Sequence, residues 1–197
     1  MRRKQYGFSL IELMVVIVLV TVVAALSIRI SREVLAKSDV VTQAVTLKGM
    51  INQAKGFAMM NGVPVLFEYG DGSIRAQADF DHDSSFGDDS REAVLGTWNG
   101  SGVTPIDLGF KRVKFNYTNT INHWSGFQDD TGNFLNDEFV ITPLGHIKSP
   151  TGSHGPLQGA MFLENEDGFL AAVYLSPLGD IKTAIKESAS SDWSWND

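Results

Sequence analysis

The sequence contains no cysteine. That excludes a disulfide framework, thiolate metal sites and a cysteine nucleophile. Catalytic groupings are missing as well. The four histidines, His82, His123, His146 and His154, show no i,i+4 spacing that would hold zinc or iron, and His146 reads as an exposed hairpin residue after a turn glycine. Serines are plentiful, but no Gly-x-Ser-x-Gly elbow occurs and nothing pairs a nucleophile with a base, so no enzyme is read here. Cations are scarce too. Sixteen Lys and Arg face 23 Asp and Glu, a formal charge of −7, which disfavours a general grip on nucleic acid or anionic lipid.

Charge is scarcest near the start of the chain. Across residues 8–28 the only ionisable group is Glu12. An apolar helix of that length, at ~1.5 Å per residue, crosses a hydrocarbon core of ~30 Å. Arg2, Arg3 and Lys4 stand just before it, which predicts a cytoplasmic N-terminus with everything after residue 28 on the far side. A carboxylate five residues into such a span costs at least a few kcal/mol unless it finds a partner. It either reaches the headgroups, or is protonated, or meets a partner in trans such as a neighbour's free α-amino group. Cleavage between Gly7 and Phe8 would create that amine.

The string Gly7-Phe8-Ser9-Leu10-Ile11-Glu12-Leu13-Met14-Val15-Val16, after a short basic leader, resembles the class III signal of type IV prepilins and type II secretion pseudopilins. The resemblance implies that a prepilin peptidase cuts after Gly7. It makes Phe8 the N-methylated mature N-terminus, and Glu12 the carboxylate that neutralises the amine of the adjacent subunit during assembly. It also implies the partners: other pilin or pseudopilin subunits, the peptidase and an inner-membrane assembly platform. An ordinary secretory signal carries its apolar segment before the cleavage site, whereas here that segment is kept. Loss of Arg2, Arg3 and Lys4 with the leader leaves 13 cations against 23 anions, a charge of −10. Many major pilins differ from this chain in closing a C-terminal loop with a disulfide and in carrying a proline in the span, where Arg29 stands here.

Beyond the span the helical pattern continues. Val40, Ala44, Leu47, Ile51, Ala54 and Ala58 advance in steps of four and three, one face of an α-helix. Lys37, Lys48 and Lys55 fall on other faces and read as solvated cations. Asn61-Gly62, with Pro64 just beyond, predicts the stop. One helix from residue 8 to about 60 would be ~80 Å long, apolar all round in its first half and amphipathic in its second.

Strand signals follow. Residues 63–69 and 73–78 read as a hairpin around Gly70-Asp71-Gly72, and residues 106–117 as one extended segment. Residues 118–137 carry loop composition. Near the C-terminus a pattern repeats: residues 139–148 and 173–182 each read strand, Pro-Leu-Gly turn, strand, with a further hairpin around residues 165–168 between them. The paired Thr/Ser-Pro-x-Gly hairpins resemble the GspH/FimT group of minor pilins and pseudopilins.

The one candidate ligand site is the acidic loop of residues 79–92. Asp79, Asp81 and Asp83 alternate like the opening of a calcium loop, with Asp88, Asp89 and Glu92 further on. The alternative is a solvated acidic loop. Ser84 and Ser90 stand where an EF-hand needs its glycine and bidentate glutamate, so it is not that motif. Lys111, Arg112 and Lys114 form a small basic cluster, and the matching turns offer Lys148 and Lys182 without arginines, so nucleic acid is disfavoured as a partner. Trp193 and Trp195 either anchor a partner or fold back on the domain.

The expected architecture is α+β: a pilin-like lollipop with a long N-terminal helix on an antiparallel β-sheet domain. Its parts are a cleaved leader (1–7), a transmembrane helix half (8–28), an amphipathic half (29–62), a β-rich domain of roughly 120 residues, enough for one core, at 63–186, and a flexible tail (187–197). The expected function is a structural minor subunit of a type IV pilus or type II secretion pseudopilus near the filament tip. The alternative is a tip-located binding module for adhesion, DNA uptake or a secreted substrate. The expected location is a single pass of the inner membrane with the C-terminal domain outside the cytoplasm, then the pilus or periplasmic pseudopilus.

Overall fold

The fold is organised on one helix, α1 (Leu10–Asn61), in a computed structural model that describes residues 9–70, 73–81, 85–86, 90–108, 113–115, 138–150, 159–186 and 194–196. With no proline before Pro64 to break its hydrogen-bond ladder, α1 runs 52 residues without interruption, ~80 Å at 1.5 Å per residue. It stops where the sequence predicts. Gly62 takes the left-handed conformation at φ +69°, and the Val63 amide turns back to the Ala58 carbonyl at 3.2 Å, a glycine-dependent closure of the last turn.

The predicted apolar face is the buried face. Val40, Ala44, Leu47, Ile51, Ala54 and Ala58 are each at most 1 % exposed, and Ala36 extends the row toward the N-terminus. Four of these seven are alanines, which lets the sheets approach the helix backbone closely. The predicted hairpin follows as β1 (Val65–Gly70) and β2 (Ser73–Ala78), paired from Val65 opposite Ala78 to Gly70 opposite Ser73. After a 3₁₀ turn, Ser90–Glu92, come four short strands: β3 (Ala93–Leu95), β4 (Thr97–Trp98), β5 (Val103–Thr104) and β6 (Ile106–Asp107). Then come β7 (Val113–Phe115), β8 (Glu138–Ile141) and β9 (Ile147–Lys148). The last are β10 (Gly159–Asn165), β11 (Leu170–Leu175), β12 (Ile181–Lys186) and β13 (Ser194–Asn196).

These strands make two antiparallel sheets and a separate β4–β5 ribbon. The first sheet runs β3-β2-β1-β8-β9, with β6 beside the other half of β2, and the second runs β13-β12-β11-β10-β7. One core serves both. Phe67 and Phe139, opposite each other on β1 and β8, stack with ring centroids 5.0 Å apart, and they share a cluster with Leu47 and Ile51 of the helix and Leu163 and Val173 of the second sheet. A second, smaller cluster of Ala160, Phe162, Ala172 and Ala184 lies on the other face of the second sheet. The expected α+β architecture, a long helix on an antiparallel domain, is the one observed.

Three details depart from the sequence reading. Residues 106–117 are not one strand: β6 belongs to the first sheet and β7 to the second, because the chain changes sheets within that stretch. Within the expected flexible tail (187–197), residues 194–196 form β13, with Ser194 opposite Ile185 and Asn196 opposite Thr183. It satisfies the open edge of β12 that would otherwise present unpaired backbone groups. Lys55 is also not a solvated cation; its ammonium donates to the Gly179 carbonyl at 2.8 Å.

Candidate functional site

The N-terminal end of α1 is an exposed apolar rod. Every described side chain from 10 to 26 is exposed, the large ones by half or more, from Leu10 at 75 % to Leu26 at 61 %. A helix apolar all round is stable when something covers it, lipid or other helices. Its start is built by Ser9 and Glu12. Ser9 has extended backbone angles, and its amide donates to Glu12 Oε2 at 2.9 Å. That closes one of the four orphan amides of a helix start. A carboxylate has about four acceptor sites, so this bond leaves capacity for a second donor. Gly7 and Phe8, the residues of the expected cleavage and methylation, lie outside the described residues.

The acidic loop is only partly a solvated loop. Phe80, just after β2, packs edge-on against Phe57 of the helix, centroids 6.0 Å apart, and this draws its neighbours inward. Asp79 is 4 % exposed and Glu92 1 %, and the Phe80 amide donates to Glu92 Oε1 at 3.3 Å. Asp79, Asp81 and Glu92 each bring a carboxylate oxygen within 4.8 Å of the others. Two of the three residues singled out for calcium are thus together, joined by Glu92, while Asp83, Asp88 and Asp89 lie outside the described residues. Calcium takes six to eight oxygens, and these three carboxylates bring one each to a common point.

The repeated turns are alike in atomic detail. In one, the Gly145 amide donates to the Thr142 carbonyl and the His146 amide to Thr142 Oγ1; in the other, Gly179 and Asp180 do the same to Ser176. Both glycines need their positive φ, +80° and +82°. The turns pack on each other: a β-carbon at Gly179 would lie 2.0 Å from the Gly145 carbonyl oxygen. Lys55 lies against both. No sequence signal singles out that lysine, since its partner is 124 residues away. His146 is half-buried within its turn rather than exposed.

Other candidates are placed less fully. Lys114 lies on β7 opposite Glu164, Lys148 and Lys182 are exposed at the ends of the twin hairpins, and Trp195 lies on β13 opposite Ala184. Lys111, Arg112, Trp193, His82, His123 and His154 lie outside the described residues. Arg75 on β2 is paired with Glu68 on β1, with Nη2 to Oε1 at 2.6 Å. The hydrogen bond to Glu68 raises the Arg75 pKa above its usual value, with the charges of Glu68 and Glu138 adding to it against some loss from burial.

Compared with known families, residues 2–28 match the prokaryotic N-terminal methylation motif. The chain carries a prepilin-type N-terminal signal. That signal supports a type IV pilin-like protein, a pilin or pseudopilin subunit that is processed by a prepilin peptidase and assembles with other pilin subunits. It implies a membrane-anchored subunit that later enters a filament. Among the described residues, however, no helix is long and apolar enough to cross a membrane. The described apolar side chains cover 10–26, short of the ~20 residues a span needs, and the other residues of the expected span, 8 and 27–28, are not among them. No curated protein and no solved structure matches the chain significantly.

Proposed function

We propose that this chain is a structural minor subunit of a type IV pilus or type II secretion pseudopilus, of the GspH/FimT kind, placed near the filament tip. The observation that carries the reading is the exposed apolar rod of residues 10–26, headed by Glu12 and rigidly continuous with the helix face that the domain covers. Before assembly the rod, with residues 8–28 as a single pass, sits in the inner membrane and the domain lies outside the cytoplasm. Cleavage after Gly7 leaves Phe8 as the methylated N-terminus. On assembly the rod leaves lipid for the helices of other subunits, and Glu12 takes a neighbour's terminal amine as its second donor. The twin Pro-Leu-Gly turns support the GspH/FimT kind.

Glu12→Ala tests this. The variant is expected to be cleaved and membrane-bound yet absent from filaments, and incorporation equal to wild type would refute the pairing role. Deletion of the whole gene, scored for surface pili and for exported protein, assigns the machine. Lost pili with intact secretion makes it a pilus subunit; lost secretion with intact pili makes it a pseudopilin.

A further inference from the structure

The domain carries a second apolar surface, at the end of α1 opposite the rod. Outside α1, the exposed large hydrophobics among the described residues are Leu144 at 75 % and Leu178 at 69 %, each the central residue of one Pro-Leu-Gly turn. They are neighbours, because Gly145 and Gly179 are packed against each other. The last turn of the helix joins them. Met59 is 53 % exposed, and a β-carbon at Gly145 would lie 3.2 Å from the Met59 sulfur. Two leucines and Met59 therefore form one cap at the distal pole of the domain.

The cap is rigid. Each turn is closed by the same three hydrogen bonds, and the Ile147 amide, from the strand after the first turn, reaches the Pro177 carbonyl in the second at 3.4 Å. Lys55 ties the pair to the helix. Such a surface loses little conformational entropy on binding, and clustered apolar exposure on a soluble face marks an interaction site.

Its size selects the occupant. Three such side chains offer on the order of 400 Å² of apolar surface. A stable free-standing complex needs about 800 Å² per partner. The cap alone does not hold a partner from solution, but it suffices for one already held elsewhere. The rod supplies that second attachment. Two subunits packed along their helices and displaced along the axis bring the domain of one over the cap of the other. A contact between unlike patches of this kind extends into an open filament rather than a closed dimer.

We infer that Leu144, Leu178 and Met59 form the axial docking cap of the domain, covered by the domain of the adjoining pilin-type subunit in the same filament. The inference rests on the filament reading above. It is tested in the full-length chain in its own cells, with a photo-reactive benzoylphenylalanine at position 144 or 178 and filaments sheared off after irradiation. The expected product, from both positions, is an adduct heavier by one pilin-type subunit, reduced at least tenfold when Glu12→Ala is added. Leu144→Ser with Leu178→Ser is expected to keep the melting temperature and lower incorporation at least fivefold. Filaments that contain the probe-bearing chain but give no adduct overturn the cap and leave the filament reading standing. An adduct to a protein without a pilin-type signal overturns the occupant. A chain with intact Glu12 that never enters filaments overturns both.

Discussion

The side-chain amide of Asn165, at the end of β10, donates to the Ala36 carbonyl of α1 at 3.0 Å across 129 residues of sequence. The same side chain organises its own turn, since Asn165 Oδ1 accepts the amides of Asp167 at 3.1 Å and Phe169 at 2.9 Å. One buried residue therefore shapes the β10–β11 hairpin and fastens it to the N-terminal end of the packed part of the helix. Lys55 does the corresponding work at the other end, through Gly179. The second sheet is thus tied to α1 at both ends.

Asn165→Ala removes one donated and two accepted hydrogen bonds from a buried position and is expected to cost about 1–3 kcal/mol. Asn165→Asp keeps the acceptors for the turn but sets a carboxylate against the Ala36 carbonyl. Thermal denaturation should rank wild type above both, and an Asp variant as stable as wild type would show that the bond to the helix contributes nothing.

Two glycines with similar backbone angles should respond differently to alanine. Gly62 and Gly179 both have positive φ, but a β-carbon at Gly62 meets open space whereas one at Gly179 meets the Gly145 carbonyl oxygen. Gly62→Ala is expected to cost about 1 kcal/mol for the backbone conformation alone. Gly179→Ala adds displacement of a backbone and is expected to cost about 2–4 kcal/mol. Equal losses in urea titrations would mean that the two turns are not in firm contact.

The twin turns also show what can be read without coordinates. Pro-Leu-Gly twice, each followed one residue later by Ile-Lys, is a local pattern with a local cause, and so is the four-three spacing that placed six helix residues in the core. The acceptors of Lys55 and Asn165 lie more than a hundred residues away, and nothing local marks either residue. The same holds for β1 beside β8, which unites segments about seventy residues apart. Strands of two or three residues, β3 to β6, are too short for alternation to register. At the candidate site, the alternating aspartates drew the eye to Asp79 and Asp81; Glu92 joins them through a 3₁₀ turn that the sequence does not announce.

Glu12 can be dissected by charge. Glu12→Gln retains an oxygen able to accept the Ser9 amide but carries no charge. If pairing with a neighbour's amine is what drives assembly, this variant should be cleaved normally and fail to enter filaments, as is expected of Glu12→Ala. Normal incorporation of the Gln variant would assign the residue to helix capping alone.

Alkaline stability should carry a trace of Tyr174. Burial, reinforced by the charge of Asp180, pushes its phenol pKa above the ordinary value of 10.0. The folded state then holds the proton more tightly than the unfolded state, so stability falls as pH rises from the unfolded pKa through the folded one. Tyr174→Phe should flatten the decline of melting temperature above about pH 10, leaving neutral stability little changed. An identical decline in both proteins would remove Tyr174 as its source.

The clasp of two glycine turns beneath one lysine closes the last third of the domain on the helix, and with no cysteine in the chain that closure is indifferent to thiol chemistry. Folding of this domain needs no oxidant and no disulfide isomerase, and reductant should leave its unfolding midpoint where it was. A cell could therefore produce the subunit at full yield under anaerobic or reducing growth, when pilins that depend on a C-terminal disulfide would be left unfastened.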